Sequence, residues 1–231
     1  MMTFKKFSVR HDRVAMKVGT DGVLLGAWTS VTGARRILDI GTGSGLIALM
    51  MAQRTDEDVL IDGIEVSDDA EQAKENFELS PWSNRLRIFH NAIQEFNPKI
   101  KYDLLVSNPP YFVNALKPPN EKRKQVRHVV TMDHRDILVA ADRLLSPSGR
   151  ISLILPPLAA LGFREEASRR SLHCLRECSF RTRPHKEPLR YLLEFSYEAL
   201  PARTSGITLY CNGNEPSEEY CSLTRDFYLK F

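Results

Sequence analysis

The sequence predicts an α/β protein built on a doubly wound, mostly parallel β-sheet. Short apolar runs alternate with helical patterns through most of the 231 residues, and glycine or proline marks many of the junctions. Strands that alternate with helices in this way form a parallel sheet with helices on both faces. The chain is long enough for one sizeable domain and short for two. We therefore expect a single domain over residues 1–231.

The first half of the predicted sheet comes from apolar runs of strand length. The first run ends at a glycine-rich turn, and the fourth ends at consecutive prolines, which cannot continue a strand ladder. Between the runs, segment 46–53 has helical character, and the charged segment 68–79 is an amphipathic helix that stops before Pro81. The four predicted strands are residues 36–40, 59–66, 86–91 and 102–107.

The second half continues the alternation after a predicted loop at residues 113–130, which are polar, basic and interrupted by prolines. Helices are predicted at 134–145 and 158–170, and the tail has a short apolar run at 207–210 before an amphipathic helix that ends at Tyr228. The last two strands are expected to form an antiparallel pair at the sheet edge, which completes seven strands. The three strands of this half are residues 150–155, 174–181 and 190–197.

Composition favours a soluble protein of the cytoplasm. Apolar residues make up 42% of the chain and charged residues 26%, which is typical of globular proteins. No run of eighteen apolar residues is present, and the N-terminal segment lacks the apolar core of a secretory signal. The four cysteines include no C-x-x-C pair, so we expect thiols in a reducing compartment and no metal site.

The net charge of +3 is too small to indicate a nucleic-acid partner, but the positive charges are clustered. Three clusters either form separate solvated faces or converge on one phosphate-binding rim, and charge alone does not decide between these possibilities. Their members are Lys5, Lys6, Arg10, Arg13 and Lys17; Lys117, Lys122, Arg123, Lys124 and Arg127; and Arg181, Arg183, Lys186 and Arg190.

The glycine-rich turn after the first strand predicts a cofactor site. Gly41, Gly43 and Gly45 have the spacing G-x-G-x-G, which differs from the G-x-G-x-x-G of pyrophosphate-binding turns. This spacing suits a ligand without a pyrophosphate, such as the methionine arm of S-adenosylmethionine. Asp39 can fix the turn or face the amino group of the cofactor through water. Glu65 ends the second strand, where an acid can bind ribose hydroxyls. The alternative is a plain tight turn.

A third position beside this turn is less typical of methyltransferases. These enzymes usually carry an acid just after the third strand, where it receives the adenine amino group of the cofactor. Asn91 occupies that stretch here. Its amide oxygen can accept the same hydrogen bond, although more weakly than a carboxylate.

The motif Asn108-Pro109-Pro110-Tyr111 ends the fourth strand and predicts methyl transfer to a planar amino group. The lone pair of such a nitrogen is delocalised, so the nitrogen is a poor nucleophile. The Asn108 side-chain oxygen and the Pro109 carbonyl can hold both N–H protons and aim the lone pair at the methyl group. Asn108 is also expected to contact the cofactor. Pro110 stiffens the loop, and Tyr111 can stack on a flat substrate. A proline turn without catalytic function is the alternative.

Together the two motifs look like those of class I methyltransferases that act on amino groups, which have a Rossmann-like sheet. Segments 4–7, 11–13 and 17–28, and the tail 220–229, closely resemble the bacterial tRNA1(Val) adenine-N6 methyltransferases, which modify the adenosine at position 37. The resemblance covers nearly the whole chain. It implies an enzyme that depends on S-adenosylmethionine.

The resemblance also implies a division of the chain. Residues 1–33 would cover the cofactor pocket, 34–200 would form the Rossmann-like core, and 201–231 would be a C-terminal extension. Thr20 and Asp21 would touch the methionine end of the cofactor.

A tRNA substrate requires the target adenine to leave its stack. The cations that follow the proline motif are placed to bind the phosphates on either side of the target adenine. The alternative is a solvated loop. We expect a monomer, no DNA substrate and no membrane partner. The predicted phosphate-binding residues are Lys117, Lys122, Arg123, Lys124 and Arg127.

Other functions share this chemistry. Glutamine N5-methyltransferases of release factors use the same motif but carry a helical N-terminal domain, whereas only 35 residues precede the first predicted strand here. Methyltransferases of ribosomal guanine N2 remain possible. DNA adenine methyltransferases usually need a separate recognition segment. A non-catalytic RNA-binding protein on the same fold has no need of a donor pocket.

Overall fold

The computed structural model describes residues 1–110 and 133–230. Its strands are β1 (Met2–Thr3), β2 (Ser8–Val9), β3 (Arg36–Ile40), β4 (Leu60–Glu65), β5 (Leu86–His90), β6 (Tyr102–Ser107), β7 (Leu145–Leu155), β8 (His173–Arg181), β9 (Arg190–Ser196) and β10 (Arg203–Thr208). Its helices are α1 (Thr20–Trp28), α2 (Leu46–Arg54), α3 (Asp69–Glu78), α4 (His134–Leu144), α5 (Pro157–Arg169) and α6 (Glu218–Thr224), with a short 3₁₀ turn at Ser83–Arg85.

Within the described residues, one sheet of eight strands has the order β10-β8-β9-β7-β6-β3-β4-β5. Strand β9 runs antiparallel to both of its neighbours, and the other neighbouring strands are parallel to each other. The carboxyl ends of β3 to β8 and of β10 therefore meet at one edge of the sheet. Ligands of such sheets bind outside this edge, so the strand order positions the candidate site.

Two details differ from the sequence-based expectation. The sheet has eight strands where seven were predicted, because β10 pairs in parallel with β8 along the outer edge. Most of β10 is exposed and polar, and only its last two residues overlap the short apolar run at 207–210, so its pattern did not predict a strand. The predicted antiparallel pair also does not close the edge, since β9 lies inside the sheet between β7 and β8. The predicted loop at 113–130 lies outside the described residues.

Consecutive residues of the central strands face opposite sides of the sheet. Ile37 and Leu104 pack into a core with α1, α2 and α3, whereas Leu38 and Leu105 pack into a second core with α4 and α5. Strands buried on both faces are continuous apolar runs, which is why these strands could be predicted. The helices cover both faces, so the prediction of a doubly wound α/β fold is confirmed. In the described parts of the chain, no helix is both long and apolar enough to cross a membrane.

The two ends of the chain contact each other on the first of these cores. The Phe4 ring stacks on Phe7 at 4.8 Å and on Tyr228 at 6.0 Å between ring centroids. The Lys5 backbone N–H donates a hydrogen bond to the Phe227 carbonyl at 2.8 Å. The C-terminal segment therefore anchors the N-terminal segment that leads into α1. The division of the chain into an N-terminal segment (1–33), a core (34–200) and a C-terminal extension (201–231) stays a prediction.

Gly45 immediately precedes α2 as its N-terminal cap and has a left-handed backbone, at φ = 81°. A Cβ atom at this position would lie 2.5 Å from Cε1 of the buried Phe77 ring. Gly45→Ala is expected to lower the free energy of unfolding by about 2–5 kcal/mol, because backbone strain costs about 1–2 kcal/mol and overpacking about 1–3 kcal/mol. Urea denaturation of the purified variant measures this loss.

Gly33→Ala is the matched control for this prediction. Gly33 has a similar φ of 75°, but a Cβ there would meet no atom within 4 Å. Its variant is expected to lose only the backbone contribution of about 1–2 kcal/mol. If both variants lose the same free energy of unfolding, the Phe77 ring moves aside for the added Cβ and overpacking does not contribute.

Candidate active site

A cleft of about 880 Å³ opens at the carboxyl edge of the sheet. Its volume lies within the range of small-molecule sites. The glycine turn after β3 and the ends of β4, β5 and β6 line it, together with the N-terminal segment that leads into α1. These four strands are neighbours in the sheet, so the cleft follows directly from the strand order.

Most of the predicted site residues that the structure describes meet at this cleft. Those that line it are Thr20, Asp21, Gly41, Gly43, Glu65, Asn91, Asn108 and Pro110. Asp39, Gly45 and Pro109 are described but do not line it. Tyr111 and the cations Lys117, Lys122, Arg123, Lys124 and Arg127 lie outside the described residues.

Strand register brings the two predicted motifs together. Ile40 at the end of β3 is paired with Ser107 at the end of β6. The Ser107 hydroxyl also donates a hydrogen bond to the Ile40 carbonyl at 2.8 Å. Gly41 and Asn108 are the next residues, so they leave neighbouring strands that are roughly 4.8 Å apart. Sixty-seven residues separate these two positions in the sequence, yet they lie side by side in the cleft.

The glycine turn is held by β4 and leaves room for a ligand. The backbone N–H groups of Gly41 and Thr42 both donate to the Ile64 carbonyl, at 2.9 and 3.1 Å. Gly43 lines the cleft with φ = 53°, and a Cβ added there would meet no atom within 4 Å. A ligand can therefore approach the Gly43 backbone closely.

Glu65 connects the glycine turn to the end of β4. Its Oε2 accepts a hydrogen bond from the Gly43 N–H at 3.1 Å. Its Oε1 accepts from the N–H of Val66, and from the N–H and hydroxyl of Ser67, at 3.0, 3.0 and 2.9 Å. A carboxylate has about four acceptor positions. Oε2 has a single protein donor among these contacts, so it retains acceptor capacity for a hydroxyl in the cleft.

Asp39 braces the same turn from a fully buried position. Its Oδ2 accepts hydrogen bonds from the Thr42 hydroxyl at 2.6 Å and from the Ala48 N–H at 3.1 Å. Among the described residues, no group donates a hydrogen bond to its Oδ1. Burial raises the pKa of Asp39 to about 7, although the two hydrogen bonds oppose the rise. The contacts of Asp39 therefore serve the loop, and the residue does not line the cleft.

Asn91 lines the cleft with its side chain held in one orientation. Its backbone N–H donates to the Glu65 carbonyl at 3.0 Å, and its Oδ1 accepts from the Ala92 N–H at 2.8 Å. The amide oxygen keeps one further acceptor position. The adenine contact suggested for Asn91 stays a prediction.

Comparison with known proteins identifies the family. Residues 18–157 match the model of the methyltransferase small domain. A protein of Parabacteroides distasonis is 45% identical, and the alignment covers 98% of this chain and 97% of the relative. A protein of Aeromonas hydrophila is 45% identical, with 99% and 97% covered. Both are named tRNA1(Val) (adenine(37)-N6)-methyltransferase.

The chain belongs to this methyltransferase family.

Solved structures share the methyltransferase fold. A predicted O-methyltransferase of Agrobacterium tumefaciens matches 89% of this chain and 96% of its own, with a TM-score of 0.69 and 20% identity. The human methyltransferase 10 domain containing protein matches 83% of this chain and 90% of its own, with a TM-score of 0.56 and 18% identity. At these identities the likeness concerns the fold alone, and it bears out the Rossmann-like class of the sheet.

Helix α3 holds the N-terminal segment of the methyltransferase over the cleft, which sequence reasoning did not detect. Asn76 is 1% exposed. Its side chain accepts from the Arg10 N–H at 2.9 Å and donates to the carbonyls of Arg10 and Ser44 at 2.8 Å each. Asp69 lines the cleft and accepts from the Ala15 N–H at 3.1 Å, and burial raises its pKa. The segment is therefore pinned to the glycine turn.

An ion pair joins α1 to β9 at the opening of the cleft. The Asp21 carboxylate accepts a hydrogen bond from Arg190 Nε at 2.7 Å, and the two side chains are 23% and 20% exposed. The sequence placed Arg190 only in a basic cluster, because the proximity of two residues 169 positions apart depends on the strand order. The ion pair holds the Asp21 side chain in place at the first turn of α1.

The cleft continues past Asn108 to a surface that the sequence did not predict. Phe180, Thr182, Leu189 and Leu209 line this part, and we call these residues the far wall. Phe180 lies near the end of β8, Thr182 follows β8, Leu189 precedes β9 and Leu209 follows β10. The order of these strands in the sheet cannot be derived from the sequence pattern. In the described part of the methyltransferase, no three His, Cys, Asp or Glu side chains are grouped to hold a metal ion.

Proposed function

We propose that this chain transfers the methyl group of S-adenosylmethionine to the N6 atom of an adenine in tRNA, at position 37 beside the anticodon. One observation carries the proposal: Asn108 and the glycine turn leave paired strands and line the same cleft. The names of its full-length relatives support this choice of substrate and position. The cytoplasm is the proposed compartment, and a monomer the proposed state.

The residues present fit such a cofactor. Gly43 leaves open the space that a Cβ would fill, and Glu65 retains an acceptor for ribose hydroxyls. Asn91 is assigned to the adenine of the cofactor, and Thr20 and Asp21 to its methionine end. The cofactor supplies an electrophilic methyl group on a sulfonium. The glycine turn, which is held by β4 and Glu65, keeps these polar contacts in place.

The proline motif positions the acceptor nitrogen. The Asn108 side-chain oxygen and the Pro109 carbonyl accept the two N–H protons of the adenine amine. This withdraws the lone pair from the ring and aims it across the cleft. The proline rings of Pro109 and Pro110 stiffen the backbone that carries this carbonyl. The nitrogen loses its proton readily once it is cationic, so the chain does not need a strong base.

Tyr111 is assigned to stack on the target base. Lys117, Lys122, Arg123, Lys124 and Arg127 are assigned to the flanking phosphates. These assignments rest on the sequence.

The test gives the purified protein labelled S-adenosylmethionine and three acceptors: tRNA from cells that lack the modification, ribosomal RNA and a release factor. We expect label in tRNA, recovered as N6-methyladenosine in the anticodon loop. Label in the release factor instead would reassign the chain to glutamine N5 methylation. Label in guanine of ribosomal RNA would reassign the chain to the guanine-N2 methyltransferases. The absence of label from all three acceptors would favour a non-catalytic role.

A further inference from the structure

The turn between β8 and β9, residues 182–189, lies on the carboxyl edge beside the cleft. Its first and last residues, Thr182 and Leu189, both belong to the far wall. The turn is held at both ends: the Leu189 N–H donates to the Phe180 carbonyl at 2.7 Å, and the Tyr210 N–H donates to the Thr182 carbonyl at 3.1 Å. The turn therefore has a fixed position relative to the cleft.

Positive charge is concentrated on this turn and its flanks. Residues 181–190 hold four cations and the single acid Glu187, a net charge of +3 that equals that of the whole chain. Two of the four are engaged in protein contacts. Arg190 pairs with Asp21, and Arg183 donates to the Gly213 carbonyl and to Asn214 and lies over the Tyr210 ring.

The other two cations are available to a partner. Within residues 1–110 and 133–230, the side chains of Arg181 and Lys186 make no hydrogen bond or ion pair, and Lys186 is exposed. Surface lysines are usually solvated, so their charge alone indicates little. Lys186, however, lies on the turn whose end residues, Thr182 and Leu189, line the cleft, so this turn forms a basic rim of the proposed active site. The Arg181 side chain lies on the face of β8 opposite to Phe180 and is not part of this rim. A polyanion that reaches into the cleft must pass this rim.

The far wall adds an apolar surface to this basic rim. Leu189 is 44% exposed, and Phe180 and Leu209 line the cleft with it. A single exposed leucine needs no explanation. The apolar far wall lies beside the exposed Lys186. This combination matches the chemistry of one nucleotide, which has an apolar ring face and an anionic phosphate. An acidic peptide lacks the flat apolar part.

On the basis of the proposed function, we propose that the β8–β9 turn is an RNA-docking element. Lys186 binds a backbone phosphate next to the target nucleotide, and Leu189 contacts the face of the base once it has left its stack. Such a base must be extruded to reach Asn108, and contacts to the flanking backbone hold the strand while it is out.

The experiment compares Lys186→Glu with Arg35→Glu in the full chain. Arg35→Glu makes the same kind of charge reversal. Arg35 lies at the opposite, amino edge of the sheet, and its side chain is 78% exposed. Binding of unmodified tRNA is measured at several salt concentrations with S-adenosylhomocysteine present. Lys186→Glu is expected to weaken binding about tenfold or more and to reduce the slope of log K against log salt by about one. Arg35→Glu should change the affinity by less than about twofold.

A second pair of variants tests the apolar contact. Leu189→Ala is expected to raise the KM for tRNA several-fold, whereas Leu158→Ala, which is 82% exposed on α5, should not change it. Affinity for S-adenosylhomocysteine should be the same in all four variants, which shows that they fold.

The outcomes separate the two proposals. If the wild type methylates tRNA but Lys186→Glu binds it as well as Arg35→Glu does, the docking proposal is overturned and the proposed function stands. If the wild type methylates no tRNA, the proposed function itself fails.

Discussion

Asn108→Ala is expected to lower kcat for tRNA methylation by about 10²–10³-fold, with less than about a threefold change in the dissociation constant of S-adenosylmethionine. Asn108 is the proposed acceptor for one N–H of the target amine, and without it the nitrogen lone pair stays in the ring. The glycine turn and Glu65 do not depend on the Asn108 side chain for their hydrogen bonds, so the cofactor subsite is retained. Single-turnover kinetics and calorimetric titration measure the two effects separately.

Asn108→Asp is the informative companion, because a carboxylate oxygen at the same place can accept the same hydrogen bond. This variant should retain much more activity than Asn108→Ala. Equal and complete loss in both variants would mean that the side chain acts through its N–H₂ group or through folding. A several-fold weaker affinity for the cofactor in Asn108→Ala would place Asn108 in the donor subsite and not in the chemistry.

Glu65→Gln is expected to raise the dissociation constants of both S-adenosylmethionine and S-adenosylhomocysteine by about 10–100-fold. Glu65 accepts from Gly43, Val66 and Ser67 with its two oxygens. A glutamine must turn its N–H₂ group towards at least one of these donors. Each charge-assisted hydrogen bond lost costs about 1.5–3 kcal/mol, and 1.4 kcal/mol corresponds to a factor of ten in affinity. Calorimetric titration measures both ligands.

Glu78→Gln controls for the loss of one negative charge, since Glu78 is exposed on α3. It should bind both ligands like the wild type. Because the change at Glu65 acts on the shared ribose and the turn, the two ligands should weaken together. Unchanged affinity for S-adenosylhomocysteine in a folded Glu65→Gln protein would remove Glu65 from the cofactor subsite.

The parts of the site that could be predicted are those encoded locally. The glycine turn, Glu65 and Asn108 each follow an apolar run that forms a buried strand, so their place at the carboxyl edge comes from the pattern alone. Most of the fold was predictable for the same reason, because central strands buried on both faces are continuous apolar runs.

The parts that could not be predicted depend on contacts between distant segments. Asn76 reads as one more polar residue of an amphipathic helix, yet it is buried and holds the N-terminal segment. Leu189 reaches the cleft, and Arg190 reaches Asp21, only because β9 lies beside β7, with β8 outside it. Strand β10 is exposed and polar, and its pairing with β8 uses backbone groups that every sequence possesses.

The most direct test is a crystal structure of the protein with S-adenosylhomocysteine and an unmodified anticodon-loop oligoribonucleotide. We expect the adenine N6 atom within hydrogen-bond distance of the Asn108 side-chain oxygen and the Pro109 carbonyl, with the sulfur of the product on the side of the glycine turn. An adenine amine that points away from both acceptors, or a product bound outside the cleft, would contradict the proposal.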